Sequence, residues 1–118
     1  MNAIFKRSSV RQFTDEPVAI DDIERLMRAA MAAPSAGNQQ PWEFYIARDE
    51  TTRMALAATS PYAAPAKLAP CVIAACTRTD GLRFVPCAPL DMSAAVENIL
   101  LEAANIGLGA VWLGVAPD

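Results

Sequence analysis

The longest regular hydrophobic pattern in the chain runs from Asp91 to about Ile106, and it restricts the fold more than any other feature. Met92, Ala95, Val96, Ile99, Leu100, Ala103 and Ala104 recur at helical spacing and form one apolar stripe. A helix with such a stripe is stable only where other elements cover it. Ala94, Ala95, Ala103 and Ala104 are small, so a second helix can approach closely. Gly107 stands where a glycine in the left-handed conformation ends a helix.

The elements that could cover it are legible in the same way. Residues 2–8 read as a short helix start, followed by extended chain through Pro17. Ile20, Ile23, Leu26, Met27, Ala30 and Met31 predict a helix from about Ile20 to Ala33, with Asp21 and Asp22 in the first turn and Pro34 at the end. Trp42 to Ala47 alternates as a strand, with Trp42, Phe44 and Ile46 on one face. Asp49 is placed to cap a helix running to about Thr59. Ser60 to Pro70, rich in Ala and Pro, reads as irregular. Cys71 to Thr77 is a continuous apolar run, expected to be a strand buried on both faces. A Pro-punctuated loop from Thr79 to Leu90 precedes the long helix, and Ala110 to Val115 reads as a third strand. This alternation predicts an α/β or α+β fold, one domain over residues 1–118. After Gly114-Val115, the final Ala-Pro-Asp reads as the approach to another element, so a longer natural chain is expected.

Composition narrows the functional classes. With 53% hydrophobic and 19% charged residues the chain is expected to be ordered and globular. The apolar region Ala94–Val115 is broken by Glu97, Asn98, Glu102 and Asn105, which excludes a spanning helix there. No apolar run follows Lys6 and Arg7, so no secretory signal is expected, and a cytoplasmic location without a membrane partner is the default. A net charge of −3 argues against nucleic acid as a partner. Residues 1–13, however, hold Lys6, Arg7 and Arg11 and no acid, a basic island suited to a small anion. Three cysteines without a CxxC pair support neither a disulfide framework nor a zinc site, and buried structural thiols are expected. The absence of histidine removes Ser-His-Asp and Cys-His nucleophile systems and every His-dependent metal site. The chemistry of an enzyme with this composition would belong to a cofactor.

Three segments could hold one. Arg7, Ser8, Ser9 and Arg11 offer two guanidinium forks and two hydroxyls, which match a phosphate in charge and geometry. Arg7 and Arg11 would share a face if this stretch were helical. Taken alone, the run also describes a solvated basic helix end. Pro34 to Trp42 is a proline-pinned loop in which Ser35, Asn38, Gln39 and Gln40 could bond the edge of a heteroaromatic ring; it could equally be a helix-to-strand connection. Gly107, Gly109 and Gly114 around Trp112 would let backbone approach a flat ligand, or serve ordinary packing.

In this order the three segments resemble the nitroreductase family of FMN enzymes, over essentially the whole chain. Arg7-Ser8-Ser9-Val10-Arg11-Gln12-Phe13 is similar to the family's opening Arg-x-Ser-x-Arg/Lys-x-aromatic motif. Ala33 to Trp42 is similar to its most specific loop, and Asp91 to Ala95 with Asn98, then Gly107 to Gly114, to its central helix and the strand after it. The resemblance implies an α+β three-layer sandwich with a mixed sheet flanked by helices, assembled as a homodimer with shared sites. It implies that Arg7, Ser8, Ser9 and Arg11 bind the FMN phosphate and ribityl chain, and that Pro34, Ser35, Ala36, Asn38 and Gln40 of the other subunit cover the flavin. Trp112, Leu113 and Gly114 would approach the ring, and Lys67 its pyrimidine edge. The implied reaction is ping-pong transfer from NADH or NADPH through flavin N5 to a nitroaromatic or quinone, with no catalytic side chain and no metal. Other flavin chemistry within the family (flavin fragmentation or dehalogenation) and a non-catalytic flavin-binding homodimer are the alternatives. Position 8 is Ser, where many members carry a larger donor. The family's further strand, further helix and late basic residue have no counterpart in these 118 residues.

Overall fold

A computed structural model describes residues 2–115. Its core is a pair of helices laid against one small sheet. The first helix, α1 (Ala3–Lys6), is a single turn capped by Asn2, whose side chain accepts from the Ile4 amide. The second, α2 (Ile20–Met31), carries Asp21 and Asp22 in its first turn as expected and buries Ile23, Leu26 and Ala30. Ile20 and Met31, at the two ends of the expected apolar face, stay 64% and 49% exposed. Strand β1 (Trp42–Ala47) follows, then α3 (Glu50–Ala57), strand β2 (Val72–Thr77) and α4 (Ala88–Asn105). The Asp49 carboxylate caps α3 by accepting from the Thr52 amide at 2.8 Å and hydroxyl at 2.7 Å. The same bonds, the hydroxyl's first, hold its pKa below the ordinary aspartate value. The cap's contribution is therefore present above the ordinary aspartate pKa and is lost as pH falls through the lowered one.

The expected central helix is the one observed, and it is longer than its pattern indicated. α4 begins at Ala88, three residues before Asp91, because Pro89 lies in the first turn, where a missing amide N–H costs nothing. Its C-terminus is a Schellman closure: Gly107 has φ +83°, its amide donates to Ala104 O, and the Leu108 amide reaches back to Ala103 O at 2.8 Å. Ala30 and Ala95 are fully buried and Ala103 almost so, which lets α2 and α4 pack closely. Asn98 Nδ2 donates across that contact to Ala29 O at 3.0 Å. Leu26, Ala33, Trp42, Met92 and Ile99 complete the cluster.

β1 and β2 pair antiparallel, with Trp42 opposite Thr77 and Ala47 opposite Val72. The α+β expectation holds, the sheet of the described residues being this pair together with one isolated parallel bridge. Three local expectations are corrected. β2 is not buried on both faces: Val72 to Ala74 are half-buried and Ala75 to Thr77 exposed, and of this strand Ile73 packs against the core cluster. Cys76 is accordingly exposed and Cys71 and Cys87 half-buried, instead of three buried thiols. Ala110 to Val115 is not a strand. Among the described residues its one ladder contact is the bridge between Ser9 and Ala110, and a strand requires a neighbour along its length. The segment Ser60–Pro70 is irregular apart from a short 3₁₀ turn at Ala64–Lys67. Ala116, Pro117 and Asp118, read above as the approach to a further element, lie outside the described residues.

The bridge depends on Gly109. A Cβ there would lie 2.9 Å from Val10 Cγ1 and 3.0 Å from Val10 Cβ, closer than side-chain carbons pack. Gly109→Ala is expected to destabilise the protein by about 1–3 kcal/mol through overpacking. Thermal unfolding reads this as a fall of several degrees, partly reversed by adding Val10→Ala. An unchanged melting temperature would contradict the close contact.

Candidate functional site

The structure joins the first and third candidate segments. α1 stops at Lys6 and Arg7 is already extended, so Arg7 and Arg11 do not share a helical face; the clamp residues lie along extended chain. The Val10 amide donates to Ala110 O at 3.0 Å, seating this run beside Leu108–Ala110. A cavity of about 210 Å³ opens between Lys6, Arg7 and Ser8 on one side and Leu100, Ala104 and Gly107 on the other. Arg7 Nε lies 3.8 Å from Glu97 Oε1, a loose and partly solvated pair. Ser8, Ser9 and Arg11 are exposed, and their side chains make no hydrogen bond to another described residue. Trp112 is 48% exposed. Leu113 is half-buried and Gly114 exposed, and the Gly114 carbonyl accepts from Ser60 Oγ at 3.0 Å.

Lys67 ends the 3₁₀ turn and is exposed. It lines a larger cavity of about 750 Å³ with Gln12 and Phe13, the residues directly after the basic run, and with Arg48, Asp49 and Arg53. That volume lies within the range of small-molecule sites. Arg53 holds this wall in place by donating to Lys67 O at 3.3 Å and Ala69 O at 2.7 Å.

The second segment is elsewhere, at the N-terminal end of α4. Its backbone is unusual: Gly37, Asn38 and Gln40 all have positive φ, +54°, +54° and +48°. For the two residues with side chains this conformation carries a strain of the order of 1–2 kcal/mol each. Opposing bonds hold it. Ser35 Oγ accepts from the Gln40 amide at 3.0 Å, and the Arg78 guanidinium donates to Gln39 O at 2.7 Å and Gln40 O at 2.8 Å. Arg78 is in position because its own amide continues the β1–β2 ladder, donating to Pro41 O. Ala36 and Gln39 are bonded to Asp91, a buried carboxylate in the first turn of α4. Pro34, Asn38 and Gln40 stay exposed, while Ser35 and Ala36 are half-buried.

Thus the basic run meets the glycine segment, Lys67 meets the continuation of the basic run, and the Pro34–Gln40 loop meets neither within one chain. Asp91 and Ala104, which border the loop and the smaller cavity, are separated by ~20 Å along α4. Sequence reading overlooked Asp91, Arg78 and Phe84 as supports of the loop. One signal was present: Asp91 lies four residues before Ala95, on the face that α4 buries. Among the described residues no group of His, Cys, Asp and Glu could hold a metal ion, and no helix is long and apolar enough to cross a membrane.

Gly37 also has no room for a side chain, since a Cβ would lie 2.6 Å from Phe84 Cε2. Gly37→Ala is expected to cost about 1–3 kcal/mol from strain and crowding together. Moving the ring away with Phe84→Leu should recover only the crowding part. Thermal melts of the two single variants and the double variant measure both parts; full recovery in the double variant would show that the backbone is not strained.

Comparison with known proteins identifies the family. Residues 4–80 match the model of the nitroreductase family. A protein of Archaeoglobus fulgidus, provisionally named an NADH dehydrogenase/NAD(P)H nitroreductase, is 38% identical over 99% of this chain and 68% of its own length. A crystal structure from Clostridium acetobutylicum, provisionally titled an NADH oxidase, superposes with a TM-score of 0.96 at 45% identity, over 99% of this chain and 70% of that one. A nitroreductase structure from Desulfovibrio desulfuricans, also provisionally titled and in complex with FMN, superposes with a TM-score of 0.90 at 34% identity, over 96% and 66%. The chain spans about two thirds of the length of these relatives. It has the nitroreductase fold and belongs to the nitroreductase family.

Proposed function

We propose that the protein is an FMN-dependent oxidoreductase that takes electrons from NADH or NADPH and passes them to an electron-poor acceptor such as a nitroaromatic or a quinone. The observation that carries this reading is the docking of the basic run against Gly109 and Ala110. It fixes the backbone of Ser9 and Val10 while Ser8, Ser9 and Arg11 keep their side-chain donors exposed, beside an Arg7 that is only loosely paired. Such a donor set fits a phosphate dianion, so the residues present suit FMN. The family match and the FMN complex of the Desulfovibrio relative support the same choice.

In this reading Arg7 and Arg11 hold the phosphate by charge-assisted bonds, and the Ser8 and Ser9 hydroxyls bond the phosphate and ribityl oxygens. Lys67 places a positive charge at the pyrimidine edge, where it favours added electron density. Trp112, Leu113 and Gly114 approach the ring. When bound, FMN supplies the electron-transfer chemistry that no side chain here provides. Pro34, Ser35, Ala36, Asn38 and Gln40 come from a second copy and shield the ring from water. The placement of the two halves supports that division: in one copy the loop bonds the first turn of α4, while the basic run lies along its second half, from Glu97 to Ala104. In this reading two copies pack with their α4 helices antiparallel, which would set each loop beside the other's basic run.

Arg11→Ala is expected to raise the FMN dissociation constant about tenfold or more, the loss of a charge-assisted bond. It should shift the melting temperature of the cofactor-free protein little, because Arg11 is exposed. Equal flavin affinity in wild type and variant would refute the clamp. The FMN-loaded protein should be yellow and dimeric in solution, bleach with NADH or NADPH, and regain colour when a quinone is added. A yellow protein that neither nicotinamide bleaches would overturn the oxidoreductase reading, and a flavin-loaded monomer would overturn the shared site.

A further inference from the structure

We propose that Asp91 and Gln39 are positioning residues that set the Ser35–Gln40 loop in its cofactor-covering shape before any cofactor binds. The proposal rests on the reading of that loop as one side of an FMN site.

Asp91 is the buried charged residue of the described chain, 5% exposed. A carboxylate is kept from water only where hydrogen bonds replace it. Both oxygens are used on the loop: Oδ1 accepts from the Ala36 amide at 2.9 Å and Oδ2 from Gln39 Nε2 at 2.8 Å. The Gln39 carboxamide is fully committed. Nε2 also donates to Phe84 O at 3.0 Å, while Oε1 accepts from the Phe84 amide at 3.0 Å. This donor and acceptor pattern admits only one orientation of the amide. Gln39 therefore ties three segments at one point: the loop, the chain entering α4, and the first turn of α4 itself.

These bonds bear on the site because of where they attach. Ala36 is one of the residues assigned to cover the flavin, and Gln39 lies between the two positive-φ residues Asn38 and Gln40. With the backbone held there, the Asn38 and Gln40 side chains point outward, exposed, instead of satisfying the loop's own amides. A ligand meeting a preformed loop does not bear the entropy of ordering it. Asp91 and Gln39 touch no cofactor in this scheme and act through the loop alone.

Two readouts test this: amide hydrogen exchange in the cofactor-free protein, and the FMN dissociation constant. Asp91→Ala should speed exchange at Ala36 and weaken FMN binding, each about tenfold or more, with exchange inside α2 unchanged. A side-chain swap supplies a second test should that variant not fold. Asp91→Asn sets two N–H donors face to face with Gln39, and Gln39→Glu sets two carboxylates face to face. Each alone should weaken FMN binding, whereas the double variant Asp91→Asn/Gln39→Glu restores the donor–acceptor pair at position 91, though not the bond to Phe84 O, and should bind FMN several-fold tighter than Gln39→Glu alone. Losses that simply add in the double variant, or single variants with wild-type FMN affinity and Ala36 exchange, would overturn the proposal. If wild type takes up no FMN, the flavin reading fails instead, and Ala36 exchange still decides whether Asp91 anchors the loop.

Discussion

Close packing between α2 and α4 sets the frame for everything else in this structure. Where the helices meet, Ala30, Ala95 and Ala103 leave no accessible surface worth mention, and larger side chains would hold the axes apart. Because α4 is brought in so far, its N-terminal turn reaches the loop after α2 and its second half reaches the basic run. Asn98 locks the pairing by satisfying the Ala29 carbonyl, which limits sliding of one helix along the other. A single rigid helix thus carries the supports of both halves of the proposed site.

Much of this was legible in the chain, and the boundary follows physical lines. α4, α2 and β1 were readable because periodicity and Gly107 are local signals, and the register of β1 with β2 only had to place Trp42 on the core. What depended on distant partners was not readable. Ala110–Val115 has strand composition, yet a ladder is made by two segments, and Ser9 offers it only one bridge. Cys71–Thr77 reads as an apolar run, but its burial depends on what packs over it, and its second half is left exposed. The same applies to the candidate site. The residue types of the basic run and the Pro34–Trp42 loop marked them out. Asp91 stood out only as the first residue of the predicted helix, and only the fold shows both its oxygens turned onto the loop.

The loop and the basic run are held by different means. The loop is cross-braced by Arg78, Gln39 and Asp91, bonds that span the sheet, the chain entering α4 and the helix, and these offset its unfavourable φ angles. Among the described residues the basic run rests on one backbone bond, the loose Arg7–Glu97 pair and a glycine-sized gap. One half is rigid and shapes the space above the proposed cofactor; the other is lightly seated and supplies charge.

That light seating has a consequence for the order in which the molecule comes apart. Residues 2–13 bury no side chain fully, and α1 is only one turn long. Opening of this segment alone costs far less than disrupting the α2–α4 core, so it forms a cooperative unit of low stability. The exposed chain between α1 and α2 is thus the natural point of attack for a protease, and an anion bound across Arg7 and Arg11 would close that point. Loss of an anion bound there and proteolytic nicking near the N-terminus would then be two views of one local opening, ahead of the parting of the helices.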